Sequence, residues 1–277
     1  MKTITISLAL SLASLASAQF ATQVTGASAD LTGSGLFNSP QAALGAPTRW
    51  YDAFGTPART TPIESAFNVG LGGEKLLVTL NVGSFIELRF DAPVTDDPLN
   101  PYGQDFLVFG NAFYFGDPWP FENYNTTMVT GGPFEEPTRV SVSQDGVNWT
   151  AFTNGPYADT AFPTNAYQWD RATANWTNQE SDFTKPVNPA LAATFAQGGM
   201  SAADVIDAYE GSGGGTGFDL ANVGLTWIQY VRIEGVSGLA GGEIDAVADV
   251  SAVPEPASMV ALGAGLFALA RRRRNQR

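Results

Sequence analysis

The 277-residue sequence contains no cysteine and no histidine, and only 15% of its residues are charged. Without cysteine there is no disulfide, no thiolate nucleophile and no sulfur-ligated zinc or iron. Without histidine there is no Ser-His-Asp triad. Any catalysis would fall to carboxylates, tyrosine, lysine or arginine. Long apolar runs are also scarce: the one near the C-terminus, Met259 to Ala270, holds 12 residues, well short of the ~20 that span a bilayer. What the chain has in quantity is 30 glycines and 17 prolines, which predict abundant loops. Its 18 Phe, 8 Tyr and 6 Trp can fill a substantial core and argue against disorder throughout.

Both ends carry targeting features. Met1-Lys2-Thr3, the mostly apolar Ile4 to Leu15, and Ala16-Ser17-Ala18 follow the order of a secretory signal peptide, with cleavage expected after Ala18. At the other end, Pro254-Glu255-Pro256 precedes the apolar Met259–Ala270 stretch and the cluster Arg271-Arg272-Arg273-Arg274. An apolar stretch backed by arginine inserts with its basic end in the cytoplasm. This tail resembles the bacterial PEP-CTERM sorting signal. The resemblance implies signal peptidase at one end and an exosortase-type processing protease at the other. It also implies transient inner-membrane insertion, removal of the tail near Pro254, and delivery to the cell surface or an exopolysaccharide matrix. The expected division is therefore 1–18 signal peptide, 19–252 folded domain and 253–277 sorting signal. Lys2 leaves with the first segment, and Glu255 with five arginines leaves with the last. Residues 19–252 then hold 8 basic and 26 acidic side chains, a net charge of −18. Such a surface repels nucleic acid and attracts divalent cations.

The middle reads as strands. Lys75–Val82, Ser84–Phe90, Asp105–Phe109, Arg139–Ser143, Val147–Phe152, Trp227–Glu234 and Glu243–Val250 are short, apolar or alternating runs. Asp105–Phe109 is almost wholly apolar and is expected to be central. Asp145-Gly146 between two runs signals a hairpin. Ser201–Glu210 is the one expected helix, with Ser201 and Asp204 as a capping-box start and Gly211 as its stop; Gln41–Leu44 is at most one turn. Thr153–Pro189, rich in Asn, Thr, Pro and Trp, reads as a long ordered loop or lid. The expected fold is all-β, a jelly-roll-like β-sandwich with one short helix, long loops and helical terminal signal segments.

Several core segments are similar to a family of PEP-CTERM-associated surface proteins. They are Ala43–Pro47, Asp96–Gly103, Asp105–Phe113, Gly213–Leu225 and Gly241–Ala246. The resemblance implies an architecture like that of discoidin-like or galactose-binding-like sandwiches, in which a hairpin such as Val140–Trp149 recurs. It implies no reaction.

Three chemistries are open. Calcium needs six to eight oxygen ligands. Asp96, Asp97, Asn100 and Asp105, with Asn111 just beyond the strand, offer one supply; Glu243 and Asp245 offer another. Strand periodicity places Glu243 and Asp245 on one face, with Ile244 and Ala246 turned into the core. In the sandwiches that the core resembles, a carboxylate near the start of the last strand helps hold a structural calcium, and Asp245 takes that role by resemblance. The expected calcium ligands are thus Asp97, Asp105, Asn111, Glu243 and Asp245; the alternative is a solvated acidic edge whose Asp and Asn cap turns. Tyr114, Trp119, Trp169 and Trp176 are the candidates for stacking on an extracellular polysaccharide; the alternative is that they pack their loops onto the sandwich. A carboxylate pair for glycoside cleavage would come from Glu122, Glu135, Glu136 or Asp170, making the rival reading a hydrolase of matrix polysaccharide. The Gly211–Gly217 run lacks the Lys-Ser/Thr of a phosphate cradle and reads as a tightly turning loop. The preferred expectation is a non-catalytic exported surface or matrix protein.

Overall fold

The computed structural model describes residues 19–29, 31, 36–239 and 241–250; the expected signal peptide and sorting signal lie outside them. The described strands are, in chain order, β1 (Gln23–Ala27), β2 (Trp50–Asp52), β3 (Pro57–Arg59), β4 (Val78–Leu80) and β5 (Phe85–Thr95). They continue as β6 (Phe106–Gly110), β7 (Phe113–Asp117), β8 (Met128–Phe134), β9 (Arg139–Ser143) and β10 (Thr150–Ala151). The last are β11 (Tyr167–Asp170), β12 (Asn175–Glu180), β13 (Thr216–Phe218), β14 (Trp227–Glu234) and β15 (Gly242–Asp249). Two short helices, α1 (Ala192–Gln197) and α2 (Ala202–Ala208), precede β13.

Two antiparallel sheets form an all-β sandwich. One has the order β1-β5-β14-β9-β10 and the other β13-β6-β15-β4. Alternate residues of the first sheet, including Ile86, Leu88, Val140, Val142, Val231 and Ile233, share one buried cluster with Val78, Phe106, Val108, Phe218, Ile244 and Val247 of the second. The rings of Phe106 and Phe218 stack 4.8 Å apart. β6 is central, as its composition requires: it lies between β13 and β15, and its odd-numbered residues Leu107 and Phe109 are also fully buried, facing Ala166, Phe183, Ala246 and Ala248.

That outer cover comes from the segment expected to be a loop or lid. It is structured: β11 and β12 pair as a hairpin, with Trp169 opposite Trp176, and Ala166 N–H donates to the Thr60 carbonyl at 2.9 Å. The glycine run just before β13 allows this layer to close. Gly214 has φ +87°, and a Cβ there would lie 2.3 Å from the Pro163 carbonyl oxygen. A third cluster builds out from this layer, in which Tyr114, Tyr124, Val129, Phe162 and Trp169 pack against Phe195 of α1 and Val205, Ile206 and Tyr209 around α2.

Local rules account for the departures from expectation. α2 has the expected capping box, with Ser201 and Asp204 exchanging bonds. α1 was not expected: it has six residues, no side-chain cap, and a Gly198 stop at φ +68°, leaving little in its sequence to mark it. The Gln41 turn is a 3-10 helix over Pro40–Ala43. The strand expected over Lys75–Val82 is only Val78–Leu80. β5 instead runs on to Thr95, past Pro93, because a register irregularity opposite Ile228 and Tyr230 takes that proline out of the hydrogen-bond ladder. The hairpin after β9 exists, but its return strand is short: Thr150 and Ala151 pair back, and Phe152 N–H donates to the Val140 carbonyl. The intervening loop is closed by the Asp145 carboxylate, which accepts from the N–H groups of Val147 and Asn148 at 2.8 Å. These donors hold its pKa well below the usual carboxylate range.

Phe106→Ala is expected to lower unfolding free energy by about 3–5 kcal/mol, the usual cost of emptying a fully buried phenylalanine site. Ser201→Ala should cost about 1 kcal/mol through the lost cap. Urea denaturation of the two variants checks both; similar small losses would mean that Phe106 is not the centre of the core.

Candidate metal centre

β15 is not a regular strand. Its pairing with β6 slips between Ile244 and Ala246, so Ile244 faces the sandwich interior while Ala246 faces the outer layer. The expectation that both point into one core fails because the irregularity resets the two-residue period. It also separates the two acids of this strand.

Asp245, 2% exposed, accepts from Thr48 N–H at 2.7 Å and from Thr48 Oγ1 at 2.8 Å. It fastens the Ala46–Arg49 stretch to the last strand. Burial pushes its pKa up to about 7, against the pull of the Thr48 donors and the Arg49 charge.

Glu243 lies in a different setting. Its Oε1 accepts from Thr79 Oγ1 of β4 at 2.8 Å, while its Oε2 is buried and has no hydrogen-bond partner. Two further carboxylates close on it: one oxygen from each of Glu136, Asp159 and Glu243 lie within 4.8 Å of one another. Glu136 and Asp159 arrive together because Thr138 and Ala158 form a two-way backbone bridge and Glu136 N–H donates to the Asp159 carbonyl. Asp159, at φ +57° and 2% exposed, accepts from Ala112 N–H at 2.8 Å and from Glu243 N–H at 3.1 Å. Its carboxylate thus joins the end of β6 to the start of β15. The main-chain N–H of Asn111 also donates to it, and the Asn111 side-chain oxygen is buried without a partner.

Glycines make the room. A Cβ at Gly242 would lie 2.2 Å from the Glu136 carbonyl oxygen, and one at Gly110 would lie 2.3 Å from Asp159 Oδ1. Burial pushes Asp159 up to about 7. Glu243 is raised as well, first by burial and then by the adjoining Glu136 carboxyl. Three carboxyl groups this close repel when ionised, and either protons or a cation must intervene. The donors are all oxygen, which suits calcium and excludes soft-metal chemistry.

Asp105 belongs to a second acidic group, with Asp96 and Asp219. Its carboxylate is already occupied by donors: Asp97 N–H and Asn100 Nδ2 on Oδ1, and Leu220 N–H on Oδ2. Asp97 accepts from Leu99 N–H, and Asp219 caps the 3-10 helix that follows it. This group locks turns around the start of β6. The five expected ligands therefore sit in three places. Glu243 and Asn111 come to Asp159; Asp105 and Asp97 share a turn lock; Asp245 holds Thr48. Asp159 was missed because it lies in a stretch without periodicity. The visible signal was a glycine beside each neighbouring polar residue, in Gly110-Asn111 and Gly242-Glu243, which marks close backbone approach.

The four expected stacking aromatics also separate. Tyr114 and Trp169 are buried, bonded to the Ala161 carbonyl and to Asn125 Oδ1 respectively. Trp176 packs against Tyr124 and Trp169. Trp119 is 77% exposed. Of the acids named for glycoside cleavage, Glu136 is in the triad, Glu135 accepts from Ala161 N–H, Asp170 accepts from Ala172 N–H and Thr173 Oγ1, and Glu122 is exposed.

Residues 252–274 match the PEP-CTERM protein-sorting motif. The motif implies export, exosortase processing and C-terminal membrane anchoring. No curated protein matches the chain. Among the described residues, no helix is long and apolar enough to cross a membrane.

The folded-state pKa of Asp245 lies above its unfolded value of about 3.9, so its effect on stability is favourable at low pH. The protein is expected to lose stability as pH rises from about 4 to about 7, where Asp245 must ionise in the folded state. Asp245→Asn should flatten that decline by on the order of 1–4 kcal/mol. Urea melts at pH 4.5 and pH 8 in chelator check this; parallel declines in the two proteins would contradict it.

Proposed function

We propose that the exported chain is a non-catalytic cell-surface or exopolysaccharide-matrix protein whose sandwich is locked by calcium at Glu136, Asp159 and Glu243 and which contacts extracellular polysaccharide. The observation that carries the calcium reading is the buried, unpartnered Oε2 of Glu243 beside two other carboxylates. A buried carboxylate oxygen without an N–H or hydroxyl donor is costly once ionised, and a cation coordinated there in place of a proton shared with Glu136 removes the cost. The ion would join β15, the end of β6 and the two stretches flanking β9 and β10, which is a stapling role in a chain with no cysteine. A surface location supports the same reading, since calcium sites outside cells work at 10⁻⁴–10⁻³ M ion.

The likeness to galactose-binding-like sandwiches is supported by the five- and four-stranded antiparallel sheets closed on one core and by an acid at the start of the last strand. In this chain that acid is Glu243, since Asp245 is committed to Thr48. Matrix residence fits the acidic, uncross-linked domain between the two targeting segments. The non-catalytic reading is supported by the dispersal of the acids: Glu135 and Asp170 are taken up by separate structural bonds, and Glu122 is exposed.

Calcium at a hundredfold excess over its dissociation constant should stabilise the fold by about 2.7 kcal/mol, which raises the unfolding midpoint by roughly 5–10 °C for a domain of this size. Chelator should reverse the shift, and Glu243→Gln should abolish it while leaving the chelated midpoint near or above that of the parent. Differential scanning calorimetry at pH 7.5 decides: a midpoint indifferent to calcium in the parent protein removes the ion from this reading.

A further inference from the structure

The hairpin β7–β8 and the β2–β3 region leave a groove of about 230 Å³ between them. Trp119, Phe121, Phe113, Phe67, Tyr51 and Glu64 line it. Its rim is aromatic and open: Trp119 is 77% exposed and the neighbouring Phe54 84%. Phe54 lies 5.5 Å from Phe67, which lies 5.1 Å from the buried Tyr51, so rings descend from the rim to the floor. Trp119 stands between Pro118 and Pro120, whose fixed φ angles limit how the backbone presenting it can move. At the side of the groove, Glu64 Oε2 accepts from the Tyr124 hydroxyl at 2.7 Å, and Tyr124 is held in turn by Thr61 Oγ1 at 3.0 Å.

From this geometry we infer that the groove binds one neutral sugar ring of an extracellular polysaccharide. The inference deepens the polysaccharide contact proposed above and rests on it. An exposed indole presents a flat apolar face suited to the C–H face of a pyranose, and a carboxylate fixed at the side accepts its hydroxyls, leaving Oε1 for the ligand. No lysine or arginine lines the groove. With the carboxylate there and a net charge of −18 over residues 19–252, uronate or sulfated chains are repelled. The volume lies below the ~300–1,000 Å³ of sites for drug-sized ligands, so it admits a single ring and leaves the rest of a polymer to run across Phe54 and Trp119.

The test is isothermal titration of the full exported protein with a soluble neutral β-glucan, a neutral galactomannan and a polyuronate. Binding to at least one neutral polymer, and none to the polyuronate, is expected. Trp119→Ala should weaken it by roughly tenfold or more, as truncation of a central aromatic contact does, with an unchanged unfolding midpoint because the side chain is exposed. Glu64→Gln should weaken it several-fold. Equal binding by Trp119→Ala and the parent, or binding confined to the polyuronate, would overturn the groove and leave polysaccharide contact standing at another surface. Retention of none of the three polymers would overturn both.

Discussion

The fold is organised around a strand with no polar face. Phe106 and Val108 of β6 enter the sandwich core, and Leu107 and Phe109 enter the outer cluster. A strand buried on both sides needs two covers. The five-stranded sheet is one; the other is the polar-looking chain between β10 and β13, pulled down through Ala166 and Phe183. With no disulfide to hold these layers, their mutual burial of aromatic and aliphatic surface is what keeps them together. The extra hairpins and helices are then attached to the outer cover, where Phe162 and Tyr209 meet edge to face at 6.3 Å.

The strongly acidic composition creates a second constraint. Several carboxylates are buried, and each needs a donor. Asp105 is satisfied by two main-chain N–H groups and one amide, and Asp245 by the two donors of one threonine. Through Leu220 and Thr48 these solutions join segments far apart in sequence, so the acids serve as polar rivets between them. The Glu136–Asp159–Glu243 group differs because carboxyl groups face one another there and Glu243 Oε2 faces no donor. Asp159 is itself held by main-chain N–H groups, so what sets this group apart is the meeting of three carboxyls.

Much of the sandwich was legible from the residues. The bounds of β14 follow directly from the run Trp227–Glu234, although a register irregularity between Ile228 and Tyr230 breaks its alternation. The apolar run Asp105–Phe109 marked the central strand, and Ser201 with Asp204 marked α2. β11 and β12 carried a weaker trace in Tyr167 and Trp169, obscured by surrounding Asn, Thr and Pro. The site was harder to read. Period-two reasoning failed at Asp245 because one irregularity in β15 turns the strand over, and no local composition announces it. Glu136 and Asp159 meet through a bridge between Thr138 and Ala158, a pairing of residues 20 apart with no hairpin signal of its own. Long-range pairings of that kind depend on the whole topology.

The beginning and end of the described chain lie side by side. Ala21 N–H donates to the Val247 carbonyl, and Asp249 N–H to that of Gln19. The sorting motif starts at residue 252, just beyond this junction, whereas Glu243 lies six residues back along β15, about 20 Å away at strand rise. The molecule thus has a tethered pole and a remote pole. While it is held at its C-terminal side, the carboxylate triad lies away from the point of attachment, and Gln19 and Ala21 are fastened against the last strand before the sorting motif. Tension on the attachment would load β15 along its length and so be shared with both of its neighbours, β4 and β6, before reaching the remainder of the sandwich.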